Sequence, residues 1–153
     1  MMSASEKSGG YHLAADCENC FGLCCAALPY AKSADFAFNK DRGIPCRHLQ
    51  ADNRCGIHHD LRNKGFRGCT VYECFGAGQR VSRNIYQGKD WRDNPQLARE
   101  MFDVFHVMQQ IHEMLYYLAE AMSLEATQDL TPALGHMYKK TLKVLPALLQ
   151  RPS

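Results

Sequence analysis

The stretch Cys17-Glu18-Asn19-Cys20-Phe21-Gly22-Leu23-Cys24-Cys25 places four thiols within nine residues. Packing gives no reason to crowd sulfur in this way. A metal ion or cluster does, because thiolates at these spacings can turn inward onto a shared centre. Gly22 lies between the second and third thiols, where the backbone needs freedom to bring sulfurs together without a Cβ in the way. The stretch reads as a loop running into a short helix. Adjacent thiols such as Cys24 and Cys25 cannot easily chelate one tetrahedral ion, so they face two centres or one of them is a bystander.

Working outward, the remaining cysteines are Cys46, Cys55, Cys69 and Cys74, and none follows. The chain therefore divides into a thiol-rich first half and a thiol-free second half. Its composition is 46% hydrophobic and 22% charged with a net charge of +2, which excludes neither a modest core nor a soluble fold but gives no sign of a general nucleic-acid binder. Met1–Gly10 is polar and carries no apolar core of a secretory signal, and no apolar run is long enough to span a bilayer. The expected location is the cytoplasm, where thiols stay reduced and clustered cysteines bind metal rather than form disulfides.

Three regions follow: a flexible lead-in over 1–16, a cysteine-cluster metal-binding module over 17–80, and a helical hairpin region over 81–153, packing on the module or on a partner. Ser33-Ala34-Asp35-Phe36-Ala37-Phe38 alternates weakly, as a short strand would. Asp41-Arg42-Gly43-Ile44-Pro45 is a turn that delivers Cys46, and Cys46 to Cys55 reads as a small hairpin around the polar turn Ala51–Arg54. A short helical piece over Asp60–Lys64 ends at Gly65. Gly76-Ala77-Gly78-Gln79 is Gly-rich but has neither the spacing nor the lysine of a phosphate loop. Between Arg62 and Arg92 seven basic residues stand against two acidic ones, a stretch read first as solvated surface and second as a contact for phosphate or an acidic partner.

Asn94 as N-cap and Pro95 at the first position open the clearest element. Leu97, Met101, Val104, Phe105, Met108, Ile111, Leu115, Leu118 and Met122 then recur at helical spacing, one amphipathic helix of about 40 Å. Thr131 as cap and Pro132 predict a second helix, with Leu134, Met137, Thr141, Leu142, Leu145 and Leu148 on its apolar side and Pro146 bending or ending it. An antiparallel helical hairpin fits the short loop between them. The fold class is thus mainly α, with an irregular, metal-stabilised cysteine-rich half and a C-terminal antiparallel helical hairpin. There is no internal repeat.

The run Cys17-x2-Cys20-x3-Cys24-Cys25, then Pro45-Cys46-x2-Leu49, Cys55-x-Ile57 and Cys69 resembles the YkgJ-type cysteine-cluster proteins, a family of zinc- or iron-chelating character. The likeness covers roughly residues 17–80 and implies a metal-chelating domain. Gly68-Cys69-Thr70-Val71-Tyr72-Glu73-Cys74-Phe75-Gly76 is also similar to the cysteine module of some bacterial pentapeptide-repeat proteins, although no such repeat follows. Two departures stand out. Arg62-Asn63-Lys64-Gly65 and a longer spacer replace the Arg-Pro pair that precedes the family's late cysteine, and Cys74 is extra to its pattern.

The candidate metal ligands are Cys17, Cys20, Cys24, Cys25, Cys46, Cys55, Cys69 and Cys74. Eight thiols suffice for two four-thiolate zinc sites, one bridged polynuclear site, or one or two iron–sulfur clusters. Zinc is the default for a reduced chain, with iron or an iron–sulfur cluster next. His58 is read as packing beside the ligands, His106 as a surface residue and His112 as a satisfied residue at the edge of the core. The functional expectation is a cytosolic metalloprotein, non-catalytic, whose helical hairpin binds a protein partner or a second copy, with neither membrane nor nucleic acid as partner. The alternatives are a metal- or cluster-dependent redox enzyme and a thiol-based redox or metal sensor. No catalytic group independent of the cysteines is found in the sequence.

Overall fold

The long helix predicted from spacing is the spine of the molecule. The computed structural model describes residues 11–145. Helix α1 is Leu23–Ala27, α2 is Arg67–Val71, and α3 is Ala77–Gln79, which widens into a π-helical turn over Arg80–Ile85. Helix α4 is Pro95–Ser123 and α5 is Thr131–Leu142, joined by a 3-10 segment over Glu125–Leu130. Shorter 3-10 turns cover Cys17–Asn19 and His58–Asp60. The described residues hold no β-strand, only the isolated bridges Tyr30–Lys40 and Leu49–Cys55.

Helices α4 and α5 form the expected antiparallel hairpin, and α4 also packs on α1 and α3. Its buried residues are Met101, Phe102, Phe105, Met108, His112, Leu115, Leu118 and Ala119. The predicted stripe is therefore right in direction and too narrow, because Phe102 and His112 join it. From the front half Leu13, Phe21, Leu23, Ala26, Ala77 and Val81 enter the same core. One apolar mass thus holds the thiol-bearing loops to the helices.

Several local expectations are corrected. Ser33–Phe38 is not a strand. Its aromatic residues fold inward, Phe36 stacking on Tyr30 at 4.5 Å and Phe38 meeting Phe66 edge-on at 5.2 Å, so the segment bends into an arc closed by the Tyr30–Lys40 bridge. Asn94 starts α4 without a side-chain cap; its amide donates back to the Asp90 carbonyl at 2.9 Å. Thr131 lies inside α5 with Leu130 at the cap position, and its hydroxyl bonds the Thr127 carbonyl. The lead-in over 1–16 is anchored in its described part: Leu13 is buried, Asp16 N–H donates to Gln79 Oε1 at 3.1 Å, and Gln79 Nε2 donates to the Ala14 carbonyl at 2.8 Å. Pro146 and Leu148 lie outside the described residues.

The basic stretch is mostly solvated surface, with Arg62, Lys64, Arg67, Arg83 and Lys89 exposed, yet several of its arginines also make contacts within the chain. Arg92 donates to the carbonyls of Gln50 and Ala51 and to the Asn53 side chain, Arg83 to the Asn19 carbonyl, and Arg67 pairs with Asp35 at 3.3 Å. Arg80 lies over the Tyr11 ring, 4.6 Å from its centroid.

Candidate metal centre

The loop from Cys17 to Cys25 is shaped by contacts at its middle. Asp16 accepts from Glu18 N–H at 3.1 Å and from the Asn19 amide at 2.7 Å, which starts the turn carrying Cys17. Phe21 is gripped on both sides of its backbone. Its N–H donates to Ser82 Oγ at 3.0 Å and its carbonyl accepts from Trp91 Nε1 at 2.9 Å. Gly22 then sits at φ +66°, where a Cβ would lie 2.6 Å from Leu49 and 3.0 Å from the Asn53 carbonyl. A side chain there would be strained and would press on the Asn53 carbonyl, and the turn lies between Cys20 and Cys24, which line one recess.

Ser82 is fully buried and also donates to the Gly78 carbonyl at 2.8 Å. A Ser82→Ala variant leaves the Phe21 N–H without a partner, and is expected to cost about 1–3 kcal/mol. Chemical unfolding followed by Trp91 fluorescence measures this; an unchanged midpoint would show that the grip on Phe21 carries no weight.

The eight cysteines are all free thiols, with Cys17 and Cys69 exposed and the other six half-buried. They separate into two groups. Cys17, Cys20, Cys24 and Cys74 line one recess of about 20 Å³, together with Asp16, Gly78, Gln79 and Phe105. That is room for a particle the size of one water. A Cβ on Gly78 would stand 2.6 Å from Cys20 Sγ and 3.8 Å from Cys74 Sγ, so glycine there leaves the space open to the sulfurs.

Cys25, Cys46, Cys55 and Cys69 form the second group. Cys46 N–H donates to the Cys25 carbonyl at 2.9 Å, which fixes these two side by side. Cys55 is opposite Leu49 in the small hairpin, with Gly56 N–H on the His48 carbonyl at 2.8 Å. Cys69 rides on α2, whose Gly68 N–H reaches the Asp35 carbonyl at 3.0 Å while Gly68 itself lies against the Phe36 ring. The Cys69 thiol lies within electrostatic reach of Cys25, Cys46 and Cys55.

Burial and mutual repulsion keep most of these thiols protonated in the free chain. Burial pushes Cys20 up to about 11 and raises Cys55 and Cys74, while the exposed Cys69, partly desolvated beside Cys25, Cys46 and Cys55, also rises to about 11 and Cys17 is raised by partial desolvation and the nearby Cys74. Cys24 and Cys25 share a proton: the hydrogen bond between them raises Cys24 and lowers Cys25. One tyrosine stands over each group. The Tyr30 hydroxyl donates to Cys46 Sγ at 3.3 Å, and Tyr72 faces Cys24, Cys74 and Cys20; burial raises both phenols first, neighbouring sulfur further.

Lys40 is the cation nearest the second group. It is 6% exposed, and its Nζ donates to the carbonyls of Leu28 at 2.5 Å, Ala26 at 3.3 Å and Asp41 at 3.4 Å. Three carbonyls compensate its burial and close the end of α1. Its charge faces Cys46, Cys25 and Cys24.

Among the described residues, no three Cys, His, Asp or Glu side chains converge tightly enough to hold one ion as they stand. The sulfurs face common space without meeting at a point. Their chemistry fits a soft or borderline cation: each group offers four thiols, none tied in a disulfide. His58 and His59 are both exposed, so the expected packing role for His58 is not found. His106 is half-buried on α4. His112 is central rather than peripheral: fully buried, its Nδ1 donates to the Phe75 carbonyl at 2.6 Å and its Nε2 accepts from the Tyr11 hydroxyl at 2.9 Å. Sequence reasoning missed Lys40, Ser82 and Trp91; only the last, as the single tryptophan, carried a signal.

The fold and site define a mainly helical chain with two thiol groups beside its core. No family model matches it, and no solved structure matches it. It is similar to a protein of Bacillus subtilis (strain 168) named Uncharacterized protein YybG, 62% identical over 130 residues, which is 85% of this chain and 47% of that protein. The chain thus spans about half the length of the curated relative it matches. No helix among the described residues is long and apolar enough to cross a membrane.

Proposed function

We propose that the chain is a cytosolic metalloprotein that binds zinc, or an iron–sulfur centre, through clustered cysteine thiolates, with no catalysis of its own. The observation that carries this reading is the gathering of eight free thiols into one half of the molecule, four of them around a single recess. The motif likeness to the YkgJ-type cysteine-cluster proteins supports the same reading. So does the absence of disulfides among the described residues, which suits a reducing compartment.

The hairpin is the proposed contact for a protein partner or a second copy. Met114, Tyr117, Leu124, Leu130, Met137 and Val144 are each about half exposed along it, which supports an interaction face. A thiol-based sensor is the second reading, favoured by the exposure of Cys17 and Cys69 to solvent oxidants.

Elemental analysis with an absorption spectrum, on protein purified without oxygen, tests the main reading. The expected result is colourless protein with stoichiometric zinc. Brown protein with iron and labile sulfide selects the iron–sulfur form. Protein that folds without any metal, and takes none from solution, overturns the proposal.

A further inference from the structure

The two thiol groups adjoin at Cys24 and Cys25, whose side chains are hydrogen-bonded to each other. In a helix successive side chains point roughly 100° apart. Cys24 and Cys25 are consecutive on α1, and one lines the recess with Cys17, Cys20 and Cys74 while the other lies beside Cys46 through the backbone bond at 2.9 Å. Between Cys69 and Cys74 the chain leaves α2 at Tyr72, whose backbone is extended at φ −72° and ψ 134°, so these two thiols also part company. Each group takes members from both ends of the cysteine-rich half. Cys17, Cys20 and Cys24 are joined by the late Cys74, and Cys25, Cys46 and Cys55 by Cys69.

The surroundings differ as well. The first group lies against Phe105 of α4 and the Gly78 turn, with no cationic side chain lining its recess. The second lies over the aromatic cluster of Tyr30, Phe38, His48 and Phe66, with the Lys40 charge beside it.

Resting on the metal-binding reading above, we propose that Cys17, Cys20, Cys24 and Cys74 form one four-thiolate centre and Cys25, Cys46, Cys55 and Cys69 a second, adjoining one that shares none of its thiolates. α1 carries one thiol of each. Binding a divalent cation at either centre breaks four S–H bonds, forms four metal–sulfur bonds, releases four protons and leaves two net negative charges. Lys40 offsets part of that charge beside Cys46, Cys25 and Cys24, and Arg54 does so beside Cys17.

The test is zinc counting on the full chain and on two variants, Cys74→Ser and Cys69→Ser, each reconstituted with zinc alone. Wild type is expected to hold about two zinc ions per chain and each variant about one. Loss of all zinc from either single variant, or retention of the full count, overturns the division. In case a variant fails to fold, the wild-type protein is titrated with cobalt(II). The expected signature is tetrahedral thiolate absorption that saturates at about two equivalents, with no magnetic coupling between the ions. Coupled ions, or an end point at one or at more than two, overturn the two-centre assignment while leaving metal binding intact. Failure to take up either zinc or cobalt defeats the metal-binding reading itself.

Discussion

Phe105→Ala is expected to destabilise the protein by about 3–5 kcal/mol, the usual range for removing a buried phenyl ring. The ring is fully buried on α4 and also forms part of the wall of the recess that holds Cys17, Cys20, Cys24 and Cys74. Its removal leaves a void that neither side can close, because α4 is a continuous 29-residue helix and Cys24 sits on α1 with its own contacts. Two readouts separate the effects. Denaturant unfolding, followed by Trp91, measures the lost packing. Zinc content reports on the recess and is expected to fall at the first group alone. Phe105→Leu is expected to recover most of the stability. A cost below about 1 kcal/mol for the alanine variant would mean that the ring is not packed as described.

The second large effect is acid sensitivity centred on His112. Burial, against a backbone hydrogen bond that opposes it and with the Arg80 charge adding to it, lowers this histidine from 6.5 to about 4. The groups facing it are the Tyr11 hydroxyl, the Phe75 carbonyl and Arg80. Because the folded value lies below the unfolded one, the unfolded chain takes up the proton first. Stability from this source is complete above pH 6.5, declines as pH falls, and is fully lost below pH 4. The drop across the window is on the order of 3 kcal/mol. Phe75 makes the site sensitive, since it is a non-glycine residue at φ +52° and the His112 bond to its carbonyl helps hold it there. Unfolding midpoints at pH 7 and pH 4.5 for wild type and His112→Gln measure the effect. Protonation of the thiols and carboxylates is common to both proteins, so the difference between them isolates the histidine. A difference that does not change with pH would show that His112 does not titrate in this window.

The parts that repeat were legible in the sequence, and the parts that depend on distant partners were not. Nine apolar residues at helical spacing announced α4, and Pro132 marked the start of α5. The crowding of Cys17 to Cys25 announced a thiol site, and the adjacency of Cys24 and Cys25 already pointed in two directions. Nothing in the four-residue spacing of Cys69 and Cys74 tells that they join different groups, because that depends on an extended Tyr72 between a short helix and a turn. Phe36 and Phe38 gave a strand-like alternation because both are large and apolar, yet they serve a three-dimensional cluster with Tyr30 and Phe66. The basic residues of the 62–92 stretch are mostly exposed as expected, but the bonds of Arg83 and Arg92 to backbone carbonyls are not displayed by composition.

Asp90, Trp91 and Arg92 are three consecutive residues, and each ties part of the front half to the segment before α4: Asp90 accepts from the Asn53 amide, Trp91 holds Phe21, and Arg92 holds Gln50 and Ala51. The sulfur-bearing loops have almost no ladder of their own and hang from this strap. In evolutionary terms the arc over 30–40 is free to lengthen and the turn over 51–54 to vary, provided the strap survives. A relative that lost the strap would lose the placement of two loops in one step, however well its cysteines were kept.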